Sequence, residues 1–261
     1  MARRSLYPRT DLQIVDPVTF SVFVAVTFVL AGAVKGLTGL GLPMAAIGVM
    51  TFFLDPRTAI ALVLFPMLMT NVWQVWRMGQ VWAALKRYKL FAGALVVCVW
   101  VTTVLTVNVS DGVIQGSLGV VLVVFAGVSM RFQIPRLPDR WDATAQLIMG
   151  GASGVLGGLT SIWAPTMATY LHARHVEKDE FVRATGLLIL LGSLPLIAGY
   201  TRAGFLTGPL AGYSLVLLVP SLIGFTLGEW LRARISPERF RLILLYVFVI
   251  VGLNLIRRAL F

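Results

Sequence analysis

Two breaks of glycine and proline, Gly36-Leu-Thr-Gly-Leu-Gly-Leu-Pro43 and Gly154-Val-Leu-Gly-Gly-Leu-Thr-Ser-Ile-Trp-Ala-Pro165, interrupt apolar stretches at matching places in the two halves of this chain. Inside a bilayer, every backbone polar group needs a partner. Irregular backbone survives there only where protein or a water-filled cavity satisfies it. A corresponding pair of interrupted hydrophobic segments is the sequence sign of a carrier built from repeats, with its substrate held near the bilayer midplane.

The breaks lie in a chain that reads as a membrane protein. Of 261 residues, 58% are hydrophobic and 13% charged, against roughly a quarter charged in an average soluble domain. Several windows exceed the roughly 18 apolar residues that cross a hydrocarbon core, so the chain is polytopic. The net charge of +11 falls in short clusters between apolar segments. Such clusters set orientation and contact anionic lipid, and nucleic acid is not an expected partner. The single cysteine, Cys98, lies in an apolar run and excludes an internal disulfide. An apolar run ending at Ala31-Gly-Ala33 after Arg3, Arg4 and Arg9 mimics a signal peptide. Its long polar lead and the motif beginning at Lys35-Gly36 argue against that reading.

Apolar stretches run from Pro17 to Val34, Pro43 to Leu54, Thr58 to Trp76, Lys89 to Val107 and Gly112 to Met130. After a proline-containing, mixed-charge bridge over 131–142, they run from Ala143 to Leu159, Trp163 to Leu171, Phe181 to Tyr200, Gly208 to Leu231 and Phe240 to Ile256. The expected fold is an all-α polytopic membrane domain of two inverted repeats, 17–130 and 143–258. Each repeat has a Gly/Pro-broken helical hairpin followed by three transmembrane helices. Arg57-Thr-Ala echoes Arg183-Ala-Thr, and Arg77-Met-Gly echoes Arg202-Ala-Gly. The basic loops at 77–89, 131–140 and 232–241 are expected in the cytoplasm. That threading brings the two hairpins in from opposite faces but leaves Arg3, Arg4 and Arg9 outside, against the positive-inside tendency. A single crossing through the first pair is the alternative.

The breaks nominate the site. Gly39 and Gly41 permit close approach, Pro43 suits the first turn of a new helix, and the free N–H groups of that turn favour an oxyanion. Gly157, Gly158, Thr160 and Ser161 repeat the arrangement ahead of Trp163 and Pro165. Thr38, Thr160 and Ser161 add hydroxyl donors, with Leu40 in the first break between its glycines. Close helix packing is the competing reading of the glycines, favoured for Gly32, Gly150 and Gly151. Lys35 is a cation beside the first break, to be weighed against a snorkelling lysine. Asn71 and, more weakly, Ser193 lie on the following helices. Trp163 could cover an organic group, whereas Trp73, Trp76 and Trp100 read as packing or interface-belt residues. His172 and His175 with Glu177 and Asp179 read as an exposed loop, not a metal site. There is no H-E-x-x-H, G-x-S-x-G or Walker A motif, so enzyme readings lack support and no cofactor is expected.

The twofold order of Gly-rich break, proline, short apolar helix, small polar turn and apolar helix ending in Arg-x-Gly resembles the TauE/SafE family of membrane transporters. The telling pieces are Gly36 to Pro43, Arg77-Met-Gly79, Gly154-Val-Leu-Gly-Gly158 and Arg202-Ala-Gly204. The resemblance implies a sulfite or organosulfonate carrier in a bacterial inner membrane, with a small anion as partner. Proton coupling and a homodimer stay open. The first break has fewer consecutive glycines than the family pattern, and Thr160-Ser-Ile-Trp163 replaces glycines in the second. These departures point to an organic, even aromatic, sulfonate. An anion channel and a non-transporting membrane scaffold are the alternatives.

Overall fold

In a computed structural model, described for residues 17–131, 135–232, 234 and 237–260, the apolar stretches are helices. The first half runs α1 (Pro17–Thr38), α2 (Leu42–Met50), α3 (Pro56–Met78), α4 (Val81–Arg87), α5 (Lys89–Leu105) and α6 (Asp111–Arg131). The second runs α7 (Asp142–Thr160), α8 (Ala164–Ala173), α9 (Lys178–Arg202), α10 (Gly208–Val216), α11 (Leu218–Arg232) and α12 (Pro237–Leu260). No strand occurs among the described residues, as the all-α expectation requires. Arg3, Arg4 and Arg9 lie outside the described residues, as do the side chains of Arg239 and Arg241.

Among the described residues, six segments are long and apolar enough to cross a membrane: Val18–Thr38, Pro56–Met78, Lys89–Asn108, Asp111–Arg131, Lys178–Arg202 and Gly208–Arg232. The first stretch, expected to re-enter, thus reaches spanning length as α1, and the 9-residue α2 does not. Two details were not expected. The short helix α4 precedes α5, and the stretch from Gly208 to Leu231 divides at Leu217 into α10 and α11.

The element boundaries follow local chemistry. Asp55 caps α3, its carboxylate accepting from Thr58 N at 2.9 Å, with Pro56 in the first turn. Helix α3 ends at Gly79, and the turn after α9 contains Gly204; both have positive φ, 60° and 73°.

Helix α1 packs on α11, α7 on α5, α6 on α12, and α3 on α9. The first two pairings share one device. A methyl group at Gly36 would stand 2.1 Å from Phe225 O, and one at Gly224 1.9 Å from Val29 O. On α7, a methyl at Gly150 would lie 2.6 Å from Phe91 O. Small residues let backbones touch where lipid offers no hydrophobic drive between helices. Helices α3 and α9 form the centre. Their spans are 67% and 56% buried, against 28–39% for the other four.

Inside α3, Pro66 cannot donate to the carbonyl four residues earlier. Ser214 of α10 repairs the gap, donating to Leu62 O at 2.8 Å and accepting from Phe65 N at 3.2 Å. At the opposite end of the molecule's charge scale, ion pairs tie surface turns together. Arg57 binds Asp111 at 2.7 Å, and Arg174 binds Asp139 at 2.8 Å. Hydrogen bonding from Arg174 holds the Asp139 carboxyl below its usual range.

Candidate functional site

The two breaks share one braced turn but enter their short helices differently, with φ at 97° on Gly41 and −104° on Trp163. Thr38 donates to Val34 O at 2.9 Å and accepts from Leu40 N at 3.2 Å. Thr160 donates to Leu156 O at 2.6 Å and accepts from Ile162 N at 3.2 Å. The next residue in each break takes a positive φ, 79° at Gly39 and 60° at Ser161. Gly39 adopts it freely, whereas Ser161 pays on the order of 1–2 kcal/mol for a left-handed conformation. A short helix then starts, with Pro43 or Pro165 in its first turn and no side chain capping it at Gly41 or Trp163. Both N-termini keep unbonded N–H groups and the positive end of a helix dipole.

The side chains differ. Four residues before the left-handed residue stands Lys35 in one break and Gly157 in the other; two residues after it stands Gly41 or Trp163. In the first break the helix supplies the large side chain and the turn supplies glycine. In the second these are exchanged. A methyl group at Gly157 would stand 1.5 Å from Trp163 Nε1, so the indole lies in the groove that Gly157 leaves. Trp163 is buried, and its Nε1–H has no partner.

Both breaks reach α3. Lys35, 1% exposed, donates from Nζ to Asn71 Oδ1 at 2.7 Å. Asn71 Nδ2 donates to Met67 O at 2.7 Å. One turn along that face, Ser161 Oγ approaches Met67 Sδ at 3.8 Å, a weak contact that leaves the hydroxyl the least committed in either break. Three residues beyond Asn71, Gln74 donates to Val182 O at 2.6 Å, while its Oε1 is buried without a partner. Met67, Asn71 and Gln74 therefore form one helical face touched by break one, break two and α9. Gly39 closes the ring, because a methyl there would lie 3.2 Å from Val182 Cγ2.

The remaining nominated residues divide. The Thr38 and Thr160 hydrogens are spent on carbonyls within their own breaks, so these hydroxyls shape the turns. Gly158 serves packing, since its methyl would lie 2.8 Å from Thr102 Cβ. Leu40 and Gly41 lie in the first turn itself, where a methyl at Gly41 would meet Val34 Cγ1 at 3.0 Å. Ser193 stands on α9 at the step from Glu177 that Asn71 occupies from Asp55, but its hydroxyl donates to Leu190 O at 2.7 Å. A methyl group at its neighbour Gly192 would meet Leu95 Cδ2 at 3.4 Å and the Trp163 indole at 3.6 Å.

Helical spacing places Gln74 on the Asn71 face, with Asn71 the preferred candidate, whereas Met67 was not nominated and helical spacing from Asn71 was its only signal. Outside this region, His172 Nδ1 pairs with Ala168 O at 2.6 Å, and no group of three potential metal ligands occurs among the described residues. A cleft of about 440 Å³ lies at the ends of α3 and α11, lined by Arg77, Thr226, Glu229, Trp230 and Arg232. Its Arg77 already pairs with Glu229 at 2.5 Å.

The arrangement suits a small oxyanion. It offers one buried lysine amine, an amide, a hydroxyl and two sets of free backbone N–H groups, with no nucleophile–base pair. No curated protein and no solved structure matches the chain. The model of the sulfite exporter TauE/SafE family matches residues 24–255, nearly the whole length. The chain therefore belongs to the TauE/SafE family of multi-pass membrane proteins, whose function class is the transport of sulfur anions such as sulfite.

Proposed function

We propose that the protein is a secondary transporter of a sulfur oxyanion, an organosulfonate ahead of sulfite, in a bacterial inner membrane. The observation that carries this reading is the shared face of α3, where Lys35 meets Asn71 one turn from the Ser161–Met67 contact. An anion at this face would draw on the Lys35 ammonium, the Ser161 hydroxyl and the free N–H groups opening α2 and α8. The Trp163 indole gives an organic substituent an apolar surface, which supports the organosulfonate assignment.

Transport would proceed by alternating access, one half rocking against the other as inverted repeats around the α3–α9 crossing. The matched pairings α1–α11 and α7–α5, and the left-handed step shared by Gly39 and Ser161, support that reading. Purified protein in proteoliposomes is expected to show saturable uptake of a sulfonate or sulfite, and absence of saturable flux for every such anion would refute the proposal. Flux that never saturates would identify a channel instead.

A further inference from the structure

The charge count at the site is unusual for this molecule. Arg57, Arg174, Arg183 and Glu180, whose side chains are 13–19% exposed, each have an ion-pair partner. Lys35 is more deeply buried than any of them, at 1%. Among the described residues it is the one buried Lys, Arg, Asp, Glu or His, and it forms no ion pair with any described carboxylate. Its observed partner, the Asn71 amide oxygen, is neutral and takes one of three ammonium hydrogens.

The elements around Lys35 do not supply the missing charge. Helix α2 contains no ionisable residue. On α11, whose backbone runs against Gly36, Glu229 is committed to Arg77 at 2.5 Å. On α3, Arg57 and Arg77 are paired with Asp111 and Glu229. On α9, Glu180 faces Arg183 and Arg87, at 2.7 Å and 3.7 Å. The helix N-termini add polarity without net charge, because the negative end of the 9-residue α2 lies only about 14 Å from its start.

We propose that the site is matched to an anion of one negative charge, a monosulfonate or hydrogen sulfite, and selects against dianions such as sulfate and disulfonates. A monoanion beside Lys35 leaves the buried site neutral. A dianion leaves one uncompensated charge in a medium that solvates it poorly. Shape cannot make this distinction, since methanesulfonate and sulfate are both tetrahedral and of similar size. The proposal rests on the transport reading above and adds the charge state of the cargo.

The test is competition in proteoliposomes containing the full chain. Uptake of labelled methanesulfonate and labelled benzenesulfonate is measured against unlabelled methanesulfonate, sulfate, benzenesulfonate and benzene-1,3-disulfonate. The expected result is that each dianion competes at least about tenfold more weakly than its monoanionic counterpart. Equal competition by dianions, with saturable sulfonate uptake intact, would overturn the charge match alone. Absence of saturable uptake for both sulfonates and for sulfite would overturn the transport reading and this proposal together. Lys35→Gln is expected to lower sulfonate uptake at least about tenfold at an unchanged melting temperature. Undiminished uptake by that variant would overturn the proposal. If the variant fails to fold, competition in the unaltered protein still decides.

Discussion

The two breaks share a braced left-handed turn and carry opposite furniture. Thr38–Gly39–Leu40 and Thr160–Ser161–Ile162 make the same turn with the same hydroxyl bracing. Yet Lys35 with Gly41 on one side becomes Gly157 with Trp163 on the other. The turn geometry is what a helix needs in order to stop and restart in the membrane, so it is held in common. The side chains are free to differ, and they place a cation on one flank and an aromatic surface on the other. Such a site has a polar end and an apolar end, as an organic anion does.

The comparison can be broken most severely at Gly157. Gly157→Leu would drive the indole from its groove and is expected to cost at least about 3 kcal/mol, read as a fall in melting temperature of detergent-purified protein. Pairing Gly157→Ala with Trp163→Gly recreates the first break's layout of glycine in the turn. It should lose less than the sum of the two single changes, and a loss equal to that sum would show that the two positions do not share one space.

Next in size is the site's polar end. Lys35→Gln should reduce uptake efficiency by roughly ten- to a hundredfold, the worth of a charged hydrogen bond. Trp163→Phe keeps the apolar surface and should spare most uptake of an aromatic sulfonate. If the two variants had the same transport profile, the assignment of different roles to the two flanks would fail.

The shared helix offers a third test. Ser214→Ala leaves the Leu62 carbonyl without its donor and should cost about 1–3 kcal/mol. In a Pro66→Ala background the restored backbone N–H can serve that carbonyl, so the same change should be nearly neutral. Equal costs in both backgrounds would mean that Ser214 stabilises α3 by other means.

The smallest effect is expected at Ser161. Ser161→Gly gives the second break the residue that the first already has at this step. It should relieve about 1 kcal/mol of left-handed strain while raising the KM for uptake several-fold through loss of the hydroxyl. A variant both more stable and fully active would show that the hydroxyl has no part in binding.

Much of this was legible in the sequence because the bilayer narrows the choices. Apolar runs had to be helices, and Gly36 to Pro43 and Gly154 to Pro165 had to be interruptions with internal support. Lys35 and Asn71 could be nominated separately, since each is a polar group expensive to bury alone. Their pairing could not, because no spacing rule connects residues on different helices. The Thr38 and Thr160 hydroxyls looked like free donors because composition does not reveal that a broken turn leaves carbonyls in need of them. Gly158 shares its motif with Gly157, yet one makes room for Trp163 and the other for Thr102. That difference depends on which neighbour the helix faces. Helix α4 escaped notice because a 7-residue amphipathic piece beside basic residues looks like a loop. Ser214 gave no signal, since its role exists only where α10 meets the backbone gap at Pro66.

The central claim is that one anion is held between the two breaks against a common face of α3. A structure determined with a bound monosulfonate tests it most directly. The account predicts the sulfonate oxygens within hydrogen-bond distance of Lys35 Nζ and of N–H groups opening α2 or α8, with the organic substituent toward Trp163. Density confined to the Arg77–Arg232 cleft, with Lys35 still bonded only to Asn71, would contradict it.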